Sequence, residues 1–541
     1  METEMEMVSA ESIGIGEDLT PPLSPISYSL HDAFLHSHCS SCFSPLPSSS
    51  PHHHAGGLLY CSSSCCCCCC CESSRSPLHH FSSSAHLLSP SLEPSDLRVA
   101  LHFLLQIKPH FNSSYHRICG LMSNRHRLLT SSDDLAIRIR NGARAMAAAA
   151  DGGEFLLEEA EAVLCAVLTN AVEVQDRMGR SVGIAVYDTC FSWINHSCSP
   201  NASYTFLPPE TPRGGQRCRC LITPASSQPF DDTPPHLLTG LAGGPKIVVR
   251  SIKTIKKGEQ VTVSYTDLLQ PKELRQSELW SKYRFTCCCH RCAAHPLTYV
   301  DQHLQDSCGS DDFVTEYIDD AIDDYLCSND TESCCKKLED ALLNHKTRLH
   351  PQNHLSLKAY TTLASAYSSA SAIAMEDEDG LKMKRFSAAY SLLLALQTHD
   401  LFLHESSLIA SVSNFWIGAG ESLVNLAARL VSSRRWGGCG CRWSIDIRES
   451  LKEHVLKCIS DIIGGGKVWK FLVVGNSYLE VVPMDMRWVE SKTVGDDECV
   501  DGQQVFGLGA HCLLYGGILA NISGGHDSPL SCYVGRLLDE L

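Results

Sequence analysis

The sequence predicts an α+β chain: a fold of short strands, interrupted by a cysteine-rich insert and a helical insert, closed by a cysteine cluster and followed by an all-helical carboxyl-terminal region. Three observations carry this. Between Leu97 and Val167 apolar residues recur at helical spacing, at Leu97, Leu101, Leu104 and Leu105 and again at Leu156, Ala160 and Leu164. From Ala171 to Tyr265 the pattern becomes that of strands, with a continuous run from Ile247 to Val249 and Val261, Val263 and Tyr265 alternating with Thr262 and Ser264. Beyond Val300 helical spacing returns at Leu338, Ala341 and Leu342 and at Leu357, Tyr360, Ala364 and Tyr367.

These patterns divide the chain. Residues 1–28 begin the strand fold, and 29–90 form a Ser, His, Pro and Cys-rich insert holding the cysteine run Cys65 to Cys71, from which no core can be built unaided. Residues 91–165 are the helical insert and 166–276 the strand core, with a Pro- and Gly-rich loop at about 207–246 that predicts local disorder. Residues 277–300 carry the closing cysteines. Residues 301–541 are helical, and the helices on either side of His350-Pro351 suggest a tetratricopeptide-like hairpin without a clean 34-residue repeat.

At 541 residues and 44% hydrophobic content the chain has room for two or three domains, since single cores rarely pass ~250 to 300 residues. Its 61 Asp and Glu against 44 Lys and Arg argue against direct nucleic-acid binding and suit basic partners, although many soluble proteins are as acidic. Met1 to Met7 is acidic and unlike a secretory signal, and no run of eighteen apolar residues suggests a membrane span. The expectation is an intracellular protein of nucleus or cytoplasm, with no membrane contact. In that reducing setting its 30 cysteines read as free thiols or zinc ligands rather than disulfides.

Three segments concentrate the chemistry: Asn195-His196-Ser197-Cys198-Ser199-Pro200-Asn201-Ala202, the strand Gly258 to Tyr265, and Phe285 to Cys292 with its Cys287, Cys289 and Cys292. Singly each is weak: a lone histidine is usually a satisfied core residue, Tyr265 could be a core aromatic, and three thiols can match a template by accident in so cysteine-rich a chain. A structural zinc needs four ligands, at about 2.3 Å for sulfur, and Cys198 can supply the fourth if the segments meet. Cys288 falls off that register and reads as a spare thiol.

In order and spacing the three segments resemble the SET-domain lysine methyltransferases of the SET-and-MYND family. The resemblance implies a SET-domain β-fold with a post-SET zinc site at Cys198, Cys287, Cys289 and Cys292, a helical closing domain, and S-adenosylmethionine-dependent methyl transfer to protein lysines. It implies that Asn195 and His196 lie against the cofactor's adenosine, that Asn170, in Thr169-Asn170-Ala171-Val172-Glu173-Val174, bonds the methionine part, and that Phe285 closes over the cofactor. Val182 to Tyr187 resembles the preceding strand, with Tyr187 read as core. Tyr265 takes the position whose hydroxyl lies where the methyl passes. A free lysine of pKa ~10.4 is almost wholly protonated at neutral pH, and a narrow aromatic channel that disfavours the ammonium form answers that need. The implied partner is a protein with a basic, lysine-containing segment, such as a histone, acted on by a monomer. Asp311, Asp312, Asp319 and Asp320 could attract it, though a solvated helix face explains them as well.

Two features depart from the family. The expected Gly-x-Gly turn is absent: Gly14-Ile15-Gly16 parallels Ile255 to Glu259 and belongs to a later turn, so the glycine positions fall near Met5 to Met7, where a side chain could crowd the cofactor. The MYND segment keeps Cys39, Cys42, Cys61 and Cys65, enough for one zinc, but lacks the first pair of a second site, for which His79, His80 and His86 are poor substitutes. These departures favour an alternative, a catalytically weak SET fold serving as a zinc-stabilised scaffold. Gly464-Gly465-Gly466-Lys467 lacks the spacing of a phosphate loop, and Cys439-Gly440-Cys441 reads as a turn.

Overall fold

The computed structural model describes residues 5–46, 53–55, 58–62, 65, 92–107, 117–130, 134–150, 156–176, 180–208, 219–225, 243–305, 312–328, 330–343, 349–373, 378–433 and 502–540. The cysteine run beyond Cys65, the three histidines at 79, 80 and 86, most of the loop at 207–246, Asp311, Cys439, Cys441 and the segment 464–467 lie outside them. The chain divides into two units, one of Met1–Leu304, Phe402–Ala410 and Leu519–Gly535, the other of Gln305–Leu401, Ser411–Ile518 and Arg536–Leu541.

The first unit opens with β1 (Met7–Ser9), β2 (Ser27–Leu30) and the hairpin of β3 (His53–Ala55) and β4 (Leu58–Tyr60). The helical insert follows as α1 (Pro94–Ile107), a small hairpin of β5 (Arg117–Ile118) and β6 (Leu121–Met122), α2 (Arg125–Thr130), α3 (Asp134–Ala149) and α4 (Leu157–Asn170). Pro94 opens α1 with a φ already suited to a helix, and Asp96 in the first turn complements the dipole. Leu97, Leu101 and Leu104 are fully buried and pack with Ile139, Met146, Leu164 and Val167 into one apolar core, each worth about 1.5 to 3 kcal/mol relative to exposure. The helical insert runs past its expected end at 165, because Ala166 and Val167 continue the buried face of α4 up to the extended Ala171.

Then come β7 (Val172–Gln175) and β8 (Ser181–Val186), which join β2 in a three-stranded antiparallel sheet of order β2, β8, β7. The single-turn α5 (Thr189–Ser192) leads into β9 (Asn195–His196), and β10 (Ala202–Phe206), β11 (Ile222–Pro224), β12 (Ile247–Ser251) and β13 (Thr262–Val263) complete the strands. β12 pairs antiparallel with β10 and β11 with β1, whereas β13 pairs in parallel with β9. β11 lies inside the segment expected to be irregular. Its three residues, ending on a proline, carry no strand signal of their own and are ordered by pairing with β1. Ile13, Leu19, Tyr187, Ile247, Val249, Ile255, Val261 and Val263 form a second core, and Tyr265 packs against it as the alternation predicts. α6 (Lys272–Tyr283), α7 (His290–Ala293) and α8 (Tyr299–Gln305) close this part of the chain.

The second unit is built from α9 (Asp312–Ser328), α10 (Thr331–Leu343), α11 (His354–Ile373), most of α12 (Glu378–His404), α13 (Ile409–Ser433) and much of α14 (Gly502–Gly524); α15 (Pro529–Glu540) ends the chain. α10 and α11 form the expected hairpin, with Leu338, Leu357, Tyr360 and Tyr367 buried. The hydroxyls of Tyr367 and Tyr390 both donate to Glu339, at 2.7 and 3.0 Å. Asp319 of α9 pairs with Lys358 of α11 at 2.6 Å, both side chains partly in solvent. Within α14, Val505–Gly524 is long and apolar enough to cross a membrane by length and composition, with 50% of it buried inside the protein. A search for uninterrupted apolar runs passes over it because His511, Asn521 and several glycines break the run.

Candidate functional site

Asn195 and His196 are positioned from both sides. Upstream, the Asp188 carboxylate caps α5 by accepting the Cys190 amide at 3.1 Å, and the Trp193 indole donates to Gly120 O at 3.0 Å. Downstream, the Asn201 carboxamide works as a clamp: Oδ1 accepts the Thr262 amide and Nδ2 donates to Gln260 O, both at 2.9 Å. These bonds hold Thr262 opposite Asn195 and Val263 opposite His196.

The side chain of His196 is fully used. Its Nδ1 accepts the Tyr265 amide at 3.0 Å, so the ring proton belongs on Nε2, which faces Cys198 Sγ at 3.3 Å. Burial, opposed by the Cys289 charge and aided by that of Arg275, lowers its pKa to about 4 and keeps the ring neutral. Asn195 Nδ2 donates to Met5 O at 3.1 Å, which brings the segment where the family's glycines were expected against β9. Met5 and Met7 belong to the strand core. Gly16 has φ 80° and donates its amide to Ser251 O, the turn role the sequence parallel assigned to it.

Tyr265 donates its hydroxyl to Ile194 O at 2.5 Å. Its ring centroid lies 4.8 Å from that of Tyr283 and 5.4 Å from His196, and Phe285 lies 6.0 Å from His196 and 6.3 Å from Tyr283. Burial, reinforced by Tyr283 and Tyr204, pushes the Tyr265 phenol well above its ordinary pKa. Tyr283 ends α6, and Arg284 turns the chain away in the left-handed conformation at φ 61°. Asn124 Nδ2 fixes Tyr283 O at 3.2 Å and Arg127 fixes Arg284 O at 3.0 Å. Asn170 donates to Met122 O and Ala166 O, each at 2.7 Å, tying the end of α4 to the turn that holds Tyr283. Among the described residues its carboxamide oxygen accepts no hydrogen bond.

The thiols of Cys198, Cys287, Cys289 and Cys292 lie within 4.8 Å of one another, and so do those of Cys39, Cys42, Cys61 and Cys65. Tetrahedral zinc with sulfur at 2.3 Å requires sulfur separations of about 3.8 Å, so both sets are able to bind zinc. Cys288 is exposed outside the first set, as the register predicted. Gln276 brackets Cys287 with two 2.8 Å bonds to its amide and carbonyl. Arg275, Arg291 and Asp301 are all fully buried beside this cluster, Asp301 taking both guanidinium groups at 2.7 and 2.8 Å. Arg275 Nε points at Cys198 Sγ at 3.3 Å, and Arg291 donates to Cys198 O at 3.1 Å. Two buried cations against one anion leave one positive charge, which suits a four-thiolate zinc of net charge −2 and would be costly beside neutral thiols. Tyr283, Arg275, Arg291 and Asp301 escaped the sequence reading. Arg291 lay inside the Phe285 to Cys292 segment and Tyr283 two residues before it, but neither was given a role there.

Residues 169–266 match the family model described as SET domain. Protein SET DOMAIN GROUP 41 of Arabidopsis thaliana is 39% identical over 574 residues, spanning 97% of this chain and 99% of that protein. The chain belongs to the SET-domain family. Over shorter spans this SET protein is 26% identical to Histone-lysine N-methyltransferase SMYD3 of Homo sapiens, covering 23% of this chain and 21% of the relative. It is 28% identical to SET domain and MYND-type zinc finger protein 6 of Schizosaccharomyces pombe, covering 24% and 19%. The matched SET segment takes in Asn170, Asn195, His196, Cys198 and Tyr265 and stops short of Phe285 and the closing cysteines.

Proposed function

We propose that this protein is an S-adenosylmethionine-dependent protein-lysine N-methyltransferase, with Tyr265 at the point of methyl transfer. The observation that carries the reading is the three-way fixing of Tyr265: its amide on His196, its hydroxyl on Ile194 O, its ring on Tyr283. The faces of His196, Tyr265, Tyr283 and Phe285 form an aromatic environment that favours a sulfonium cation and fits the cofactor. When bound, S-adenosylmethionine supplies a methyl group already activated by its sulfonium. Phe285 covers it, Asn195 and the His196 main chain receive the adenosine, and Asn170 offers its carboxamide oxygen to the amino group of the methionine part. A lysine ammonium entering the same enclosure would lose the water bound to its N–H groups, and this desolvation raises the share of neutral amine. Because the Tyr265 phenol stays protonated at neutral pH, its role is to orient the amine rather than to act as a base.

Cys198, Cys287, Cys289 and Cys292 hold one structural zinc in this reading, and Cys39, Cys42, Cys61 and Cys65 a second. The substrate is a protein with a basic, lysine-containing segment, a histone tail being one candidate, and the protein works as a monomer in nucleus or cytoplasm. The Met5 carbonyl on Asn195, in place of the family's glycine turn, favours a second reading, a weakly catalytic scaffold. Calorimetric titration with S-adenosylmethionine tests the first part of the proposal. The expectation is saturable binding by the wild type, weakened at least tenfold in Phe285→Ala; no binding by the zinc-loaded wild type would overturn it.

A further inference from the structure

Cys190 and Cys220 belong to neither four-cysteine cluster, yet their sulfurs lie 3.9 Å apart. Both are partly exposed, so an oxidant can reach them. Cys190 sits in α5, just ahead of Asn195, and Cys220 just ahead of β11, which pairs with β1. Their backbones are fixed independently: the Cys190 amide by the Asp188 carboxylate, and the chain at Cys220 by the bond from the Leu221 amide to Leu19 O. Burial pushes the isolated thiols of Cys119, Cys165 and Cys512 up to about 11, 12 and 12, which leaves them inert. The Cys220 thiol is shifted the other way, chiefly by its hydrogen bond with Cys190.

We propose that Cys190 and Cys220 are an oxidative modification site that closes to a reversible disulfide. With a hydroperoxide as oxidant, the Cys220 thiolate attacks one peroxide oxygen, the O–O bond breaks, and Cys220 becomes a sulfenic acid as the other oxygen leaves as water after taking a proton. Cys190, losing its proton, then attacks the Cys220 sulfur and expels a second water. Two thiols and one hydrogen peroxide thus give one disulfide and two waters. The sulfurs must approach from 3.9 Å to about 2.05 Å, and the bond then ties the turn entering Asn195 to the strand beside β1. In a reducing compartment such a bond is transient, as expected of a sensor and not of a structural disulfide.

The test is limiting hydrogen peroxide on the reduced full-length protein, followed by alkylation, trypsin digestion and peptide mass spectrometry. The expected result is loss of alkylation at Cys190 and Cys220 together, a linked peptide containing both, and recovery after thiol reduction. Trypsin cuts after Arg219 and so separates Cys218 from Cys220. The proposal is overturned if Cys190 and Cys220 stay alkylated while other cysteines oxidise, or if Cys190 is found linked to Cys218. Cys220→Ser should keep Cys190 alkylatable under the same oxidant; should that variant not fold, Cys190→Ser tests the pair by keeping Cys220 alkylatable.

Discussion

The imidazole of His196 accepts the main-chain amide of Tyr265 at 3.0 Å while its other nitrogen faces Cys198 at 3.3 Å. One ring therefore links the closing cysteine cluster to the tyrosine proposed to guide the methyl group. His196→Ala removes both bonds and leaves the Tyr265 amide without its acceptor, at a cost of about 1 to 3 kcal/mol. The expected outcome is a lower denaturation midpoint in urea with an unchanged slope.

Arg275 is predicted to be the most sensitive of the buried charges. Arg275→Met leaves Asp301 with one guanidinium and removes the donor aimed at Cys198, and breaking a buried pair of this kind costs about 3 to 5 kcal/mol. A chelator competition should also draw zinc from this variant faster than from the wild type. Equal stability and equal metal release would show that the arginine is unconnected to the cluster.

Metal analysis of the purified protein should give two zinc ions per chain. Cys287→Ser should lose one and Cys61→Ser the other, each leaving its counterpart in place. A wild type with no zinc would contradict the reading of both clusters.

These two predictions mark what the sequence could and could not disclose. Cys287, Cys289 and Cys292 were legible by residue type and close spacing, whereas Cys198, far off in the chain, was joined to them by the resemblance to the SET-and-MYND family. The alternation of Val261, Val263 and Tyr265 was legible because a strand has a period of two. The Arg275–Asp301–Arg291 group was not, since a buried ion pair has no spacing rule and its members look like surface residues until the fold encloses them. β11 was hidden because three residues contain less than one useful period, and α4 overran its expected end because helix and strand signals overlap where apolar residues are continuous.

Gly183 should tolerate no side chain. A Cβ there would stand 2.3 Å from Ser29 O and 2.8 Å from Leu30 Cα, both backbone atoms of the neighbouring strand β2. Gly183→Ala is expected to destabilise by more than about 3 kcal/mol, beyond the usual range for single substitutions. Gly258→Ala meets open space but keeps φ at 78°, and should cost only about 1 kcal/mol. Thermal unfolding of the two variants side by side checks the order.

His102 gives the fold an acid sensitivity whose sign can be worked out. Burial lowers its pKa from 6.5 to about 4, and its ring nitrogens contact Ser27 Oγ at 3.3 Å and Gln106 Nε2 at 3.1 Å. The unfolded chain takes up a proton below pH 6.5 while the folded one does not until about pH 4, so stability falls as pH falls through that window. The wild type should lose more of its melting temperature between pH 7 and pH 5 than His102→Gln does. Parallel curves would contradict the assignment.

The most direct test of the central claim is methyl transfer from labelled S-adenosylmethionine to histones and to a methylation-poor cell extract, with wild type and Tyr265→Phe compared. Label appearing on protein lysine, and falling at least a hundredfold in the variant while cofactor binding is retained, is the predicted result. Absence of label from a wild type shown to bind the cofactor, or equal label from both proteins, would contradict the assignment of Tyr265 and turn the balance toward the scaffold.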